Sequence, residues 1–300
     1  MENMIAVFTH NVVPLFVEAN SSSEQISQGL MGEQVDVLAQ SDEFMQIRMA
    51  DDYTGWVRAS HLRRLSFPNR QPLEENYPNA YTAIVGQAFA DVWTTTDRYT
   101  LETKLVWGTR VTVVDTILQR DGNFAHILLP RGIDDYSTDL PDRDRCVLSE
   151  ALGRPPIAAE FDGRTAVELA HRFIGTPYLW GGGTPFGFDC SGFVQRIYSV
   201  LGITIPRDAY LQAQCPLGTF REPGKSLRAG DLVFFVGQSD PRGRGITHVG
   251  IALDNYSFIH ACRKTGVTLS LLDGYEIRDT YTFRGSWRVS LARVKAAMKP

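Results

Sequence analysis

TPYLWGGGTPFGFDCSGFVQRIYSVLG, residues 176–202, decides how the C-terminal half of this chain reads. Its first half is a loop, with three consecutive glycines, two prolines and no periodicity. From Cys190 onward, Phe193, Val194, Ile197, Val200 and Leu201 fall on one helical face, and Gly202 marks the stop. A cysteine therefore stands where a flexible loop becomes a helix. Backbone N–H groups at that end lack intrahelical acceptors and the dipole is positive there, so a thiolate at Cys190 is expected to be stabilised. A buried structural thiol at a helix start is the competing reading.

Outward from this stretch the pattern continues on both sides. TAVELAHRFIG (165–175) has helical spacing through Val167, Leu169, Ala170, Phe173 and Ile174 and ends at Gly175. Downstream, DLVFFVG (231–237), HVGIALD (248–254), YSFIHAC (256–262), VTLSLL (267–272) and WRVSLARV (287–294) read as strands. Helices first and an antiparallel sheet afterwards predict an α+β domain over residues 160–297. SDPRGRGIT (239–247) reads as an exposed loop beside the strand that begins at His248.

The sequence has six histidines, and two of them are predicted to meet. THVGIAL and YSFIHA are strands joined by Asp254–Asn255, and a hairpin centred on residue 254 sets His248 opposite His260. Cross-strand Cβ atoms in such a pair lie ~4.5–5.5 Å apart. One imidazole can then take the thiol proton while the other fixes its tautomer and orientation. Paired histidines also suit a metal, but no third ligand accompanies them once Cys190 is the nucleophile. His10, His61, His126 and His171 have no such partner in the sequence and read as surface or satisfied core residues.

Two β-rich blocks precede this domain, at 1–67 and 78–152. Each has an opening strand pair, a β run preceded by glycine (GEQVDVLAQ, 32–40; GTRVTVVDT, 108–116) and a later strand. This shared layout reads as an internal duplication of ~65 residues, two unrelated β domains being the alternative. SFPNRQPLEENY (66–77) reads as a linker and DDYSTDLPDRDR (134–145) as a loop.

Composition adds exclusions. In 300 residues, 43% are hydrophobic and 21% charged, with net charge −4, so no basic patch invites a nucleic acid. No apolar run reaches the length of a membrane span, and MENMIAVFTHNVV lacks the pattern of a secretory leader, so a cytoplasmic location is expected. The four cysteines form no C-x-x-C pair and are too few for a disulfide scaffold. Cys262 is expected to be a core residue. No metal or organic cofactor is required, and the oligomeric state is left open.

The quoted stretch, followed in order by IPRDAYLQ (205–212), AGDLVFF (229–235), THVGIALD (247–254) and FIHA (258–261), resembles the motifs of NlpC-type (NlpC/p60) cell-wall cysteine peptidases. The two preceding blocks resemble bacterial SH3-like domains, chiefly through YTGWV at 53–57. The resemblance implies a papain-like peptidase domain behind two small all-β SH3-like barrels. It implies cleavage after γ-linked D-glutamate, before the diamino acid, in murein tri- or tetrapeptides. Residue by residue, it implies Cys190 as nucleophile, His248 as general base, His260 as the residue orienting it, and Tyr178 as an oxyanion-hole donor. Asp189 and Ser191 are implied at the substrate pocket. Asp208 is implied to bind the free amine of an N-terminal L-alanine, a cap of the helix AYLQAQ being its other reading. Tyr53 and Glu24 are the implied contributions of the first SH3-like domain, Glu24 being chosen over Glu18 and Glu33. An enzyme for liberated peptides in cell-wall recycling follows. The alternatives are a secreted hydrolase of intact peptidoglycan, acyl transfer to an amine, and a non-catalytic wall-binding module.

Overall fold

The computed structural model describes residues 4–65, 77–120, 122–130, 143–238, 240, 243–274 and 280–298. The expected linker at 66–77 and loop at 134–145 lie largely outside the described residues, as does part of the loop at 239–247. The chain divides into two compact units, residues 1–155 and 156–300.

The N-terminal unit holds two sheets. The first contains β1 (Met4–Phe8), β2 (Val12–Phe16), β3 (Gln25–Leu30), β4 (Gln34–Ser41), β5 (Phe44–Arg48), β6 (Thr54–Arg58) and β7 (Leu62–Arg64), in the order β3-β2-β6-β5-β4-β1-β7. The second contains β8 (Tyr81–Val85), β9 (Phe89–Trp93), β10 (Leu101–Val106), β11 (Arg110–Ile117), β12 (Phe124–Leu129), β13 (Arg143–Leu148) and β14 (Leu152–Gly153), in the order β10-β9-β13-β12-β11-β8-β14. Strand for strand the two orders are the same. A register shift falls at the corresponding place in each, in β4 against β5 and in β11 against β12. Gly32 and Gly108, just before β4 and β11, both adopt positive φ (84° and 90°), which explains the glycine ahead of each β run. The shared layout of the sequence is therefore a repeated topology.

Period-two burial builds each core. In β9, Ala90 and Val92 are buried while Phe89, Asp91 and Trp93 are only partly so. Phe8, Leu15, Ile47 and Val57 fill the first core; Val85, Val92, Leu105 and Ile127 fill the second, which Met31 of the first block also joins. The expectation of barrels is corrected: each sheet is open, running from β3 to β7 or from β10 to β14. A terminal strand of three residues, or two in the second sheet, is too short to carry a closing seam of hydrogen bonds.

In the C-terminal unit, helix α1 (Gly163–His171) is capped by Asp162, whose carboxylate accepts from Arg164 N at 3.0 Å. A ribbon of β15 (Gly183–Thr184) and β16 (Gly187–Phe188) shapes the glycine loop and leads into helix α2 (Cys190–Val200). Helix α3 (Ala209–Gln212) follows. An antiparallel sheet then runs β17-β22-β18-β19-β20-β21. Its strands are β17 (Gly218–Arg221), β18 (Leu232–Gly237), β19 (His248–Ala252), β20 (Ser257–Cys262), β21 (Gly266–Leu271) and β22 (Tyr281–Val289). Nine of the eleven α2 residues are buried, all but Gln195 and Ser199, because the helix packs on this sheet, chiefly against β19. Two expectations change here. WRVSLARV is a strand only to Val289, and Leu291–Ala297 form helix α4. The ladder pairs Ile251 with Ile259 and Ala252 with Phe258, so continuing it sets His260 opposite Gly250 and not opposite His248.

Candidate active site

Cys190 is the first residue of α2, and Asp189 caps that helix by accepting from Gly192 N at 2.6 Å. The same carboxylate accepts from Gly181 N at 2.9 Å and takes both ends of the Arg207 guanidinium, at 3.0 and 2.6 Å. Arg207 also donates to Ser191 Oγ at 2.9 Å. Asp189, Ser191 and Arg207 are all buried. Asp189 and Ser191, expected at the substrate pocket, are thus turned inward to a charged network that ties the 203–208 segment to the start of α2. Losing Arg207 would leave a buried carboxylate uncompensated, which typically costs ~3–5 kcal/mol. Its sequence signal was an arginine in an apolar setting, IPRDA, which needs an acidic partner when buried.

The thiol accepts backbone N–H groups from Ser191 and from Val249, the residue after His248, so it lies against the start of β19. His248 Nε2 and His260 Nδ1 are 2.7 Å apart, and His260 Nε2 lies 3.0 Å from Ser270 Oγ. The histidines meet diagonally across β19 and β20. Gly250 makes this possible: a Cβ there would come within 3.1 Å of His260 Cβ and 2.9 Å of Ile259 O. Tyr281 stacks on His248 at 4.5 Å between ring centres and 20° between planes. Both imidazoles are almost wholly buried.

Tyr178 is bridged to Phe188 in the loop that leads to Cys190, and its hydroxyl bonds the side chain of Arg263, which itself lies over the Trp180 ring at 5.2 Å. Asp208 makes no side-chain cap on α3, so the capping alternative is set aside. Its carboxylate meets Arg244 at 3.1 Å, and Arg244 lies 4.3 Å above the Tyr210 ring. Cys262 is partly exposed, with Sγ 3.1 Å from Thr265 Oγ1, which corrects its expected place in the core. Tyr53 and Glu24 belong to the N-terminal unit. Tyr53 sits in the turn before β6, with its N–H on Asp51 Oδ1 at 3.3 Å; Glu24 is exposed before β3. Arg207, Ser270, Tyr281 and Arg263 were not singled out from the sequence; the last three follow no motif there.

The electrostatics reverse one expectation. Burial, and secondly the Asp189 carboxylate, push the Cys190 thiol up to about 12, against the weaker opposing pull of Arg207 and the two backbone N–H groups. The helix end is already answered by Asp189, which takes the Gly192 N–H, so little of its positive field is left for sulfur. Burial lowers His260 to about 4, and burial followed by His260 lowers His248 well below its ordinary value. Burial and then Cys190 raise Tyr178. Thiol and imidazole are both neutral at pH 7.

A cavity of about 630 Å³ opens elsewhere on this unit, lined among others by Asp162, Arg228, Asp231 and Arg288, and it shares no residue with this site.

Known proteins carry the same arrangement of segments. The model of the NlpC/P60 family matches residues 175–285. That segment is an NlpC/P60 domain. It is a peptidase domain of the cysteine type. Residues 15–62 match a bacterial dipeptidyl-peptidase Sh3 domain. A γ-D-glutamyl-L-lysine dipeptidyl-peptidase of Bacillus subtilis is 44% identical over 101 residues, 33% of this chain and 32% of that protein. One of the same name from Bacillus cereus is 27% identical over 248 residues, 79% of this chain and 67% of that protein. Matches thus span from about a third to two thirds of these relatives. The crystal structure of an NlpC/P60 family protein from Bacillus cereus superposes with a TM-score of 0.73 at 19% identity, over 95% of this chain and 99% of that one, a likeness of fold.

Proposed function

We propose that the NlpC/P60 domain hydrolyses the γ-D-glutamyl–diamino acid bond of murein peptides that carry a free N-terminal L-alanine, and that the protein serves cell-wall peptide recycling in the cytoplasm. The observation that carries the reading is the run from His248 Nε2 to His260 to Ser270 Oγ, beside a cysteine at the start of a buried helix. For His248 to accept a proton at Nδ1, Nε2 must hold the other proton and donate it to His260 Nδ1. His260 then donates from Nε2 to Ser270. One tautomer set satisfies the whole run.

Chemistry follows from neutral partners. As Cys190 Sγ attacks the γ-carbonyl carbon, its proton passes to His248 Nδ1. The oxyanion receives the Cys190 N–H, which has no intrahelical acceptor, and the Tyr178 hydroxyl, steadied by Arg263. His248 gives its proton to the leaving amine and the thioester remains. Water then attacks, His248 takes its proton, and collapse returns the thiol and a γ-carboxylate. Asp208 reads the free amine. Support for the substrate class comes from the two relatives named γ-D-glutamyl-L-lysine dipeptidyl-peptidases and from the Sh3 match.

The test is hydrolysis of L-Ala-γ-D-Glu-meso-diaminopimelate, followed by mass spectrometry. L-Ala-γ-D-Glu and free diaminopimelate are expected from the wild type, with no turnover by Cys190→Ala. Turnover that survives Cys190→Ala, or a wild type inert toward this peptide, would overturn the reading.

A further inference from the structure

We propose that Arg244 is a built-in substitute for the substrate's ammonium group, and that it sets how strictly the enzyme demands a free N-terminus. The inference rests on the amine-reading role given above to Asp208. Three observations point to it. The Asp208 carboxylate, about four-fifths buried, is met by the Arg244 guanidinium at 3.1 Å. The same guanidinium lies over the ring of Tyr210, two residues further on, at 4.3 Å. Asp240 braces the turn from which Arg244 projects, accepting Arg244 N at 3.1 Å and Gly245 N at 2.6 Å. The cation is therefore presented to the acid by the backbone and by an aromatic face together.

This changes the physics of specificity. A largely buried carboxylate with no cation nearby disfavours any substrate whose amine is capped, because nothing answers its charge. With Arg244 in place the charge is already answered. A free-amine peptide must compete with the guanidinium for Asp208, which raises its KM. A capped peptide leaves the Asp208–Arg244 pair intact and meets a smaller penalty. Arg244 thus narrows the preference for free amines without touching the reacting atoms. Its side chain is one-third exposed, so it can swing off Asp208 by rotamer change alone.

The experiment measures kcat and KM for L-Ala-γ-D-Glu-meso-diaminopimelate and for its N-acetylated form, and takes the ratio of the two kcat/KM values. Arg244→Ala is expected to lower KM for the free peptide with kcat unchanged, to weaken turnover of the acetylated peptide, and so to widen the ratio on the order of five-fold, the size of a partly exposed charge pair. Arg244→Lys keeps the charge and is expected to stay near the wild-type ratio. Asp208→Asn should bring the ratio towards one. A ratio unmoved by Arg244→Ala but lowered by Asp208→Asn overturns the role of Arg244 and leaves the amine-reading pocket standing. A ratio unmoved by Asp208→Asn removes the pocket and the inference with it.

Discussion

At the scale of single residues the decisive quantity is the protonation state of Cys190. A helix start next to histidines suggests a ready-made thiolate, yet the residue before the cysteine is an aspartate whose carboxylate takes the Gly192 N–H. Thiol pushed up to about 12 and imidazole held low give a neutral pair at pH 7. Alkylation of Cys190 by iodoacetamide is therefore expected to quicken steadily between pH 7 and 10, because only the deprotonated fraction reacts. A plateau from pH 5 to 8, the mark of a preformed thiolate–imidazolium pair, would show this account to be wrong. The candidate residues and their meeting were legible in the sequence because such a site draws on few residue types: one cysteine at a loop–helix junction, two histidines on consecutive strands. Their electrostatic setting was not. It depends on Arg207 folding back onto Asp189 and on Tyr281 arriving from β22, two strands away in the sheet, to cover His248.

Between elements, the site depends on how β19 meets β20. The turn residues Asp254 and Asn255 predict the hairpin, but a register centred one residue further along changes which side chains face each other. Residue 250 rather than 248 ends up opposite His260, and the pair forms only because residue 250 has no side chain. Gly250→Ala would bring a methyl group within 2.6 Å of the Phe258 ring as well as onto Ile259 O. Neither strand can move away without breaking the ladder, so the substitution is expected to destabilise by about 1–3 kcal/mol, as overpacking does. It should also separate His248 from His260 and lower kcat more than it raises KM. Calorimetry and steady-state kinetics check the two effects, and a variant with wild-type kcat would refute the diagonal contact as a catalytic requirement. Registers of this kind escape a sequence reading because alternation fixes the face of a residue but not its partner.

On the scale of the molecule, α+β character and a repeated β layout were legible, since period-two burial and turn glycines recur in both N-terminal sheets. That the sheets stay open was not legible, because it turns on one terminal strand in each, β7 and β14, of only three and two residues. Each unit also carries histidines that burial holds neutral: His61 in the first, lowered to about 4 by burial and then by His10 and Arg58, and His260 with His248 in the second. Above pH 6.5 such a histidine is neutral whether folded or unfolded and contributes nothing to the pH dependence. As pH falls from 6.5 towards 4, the unfolded chain takes up the proton and the folded chain does not, so stability is lost across that window. At 1.36 kcal/mol per unit, His260 alone accounts for about 3 kcal/mol at the lower end. His61 is partly exposed and accounts for less. Thermal melting is therefore expected to move to lower temperature between pH 7.5 and 4.5, and more steeply for the C-terminal unit, where two such histidines titrate together. His61→Gln should flatten only the N-terminal share of that slope. A melting temperature equal at pH 7.5 and 4.5 would mean that both sites admit the proton while folded, and His248 would then be open to water when it has to act as a base.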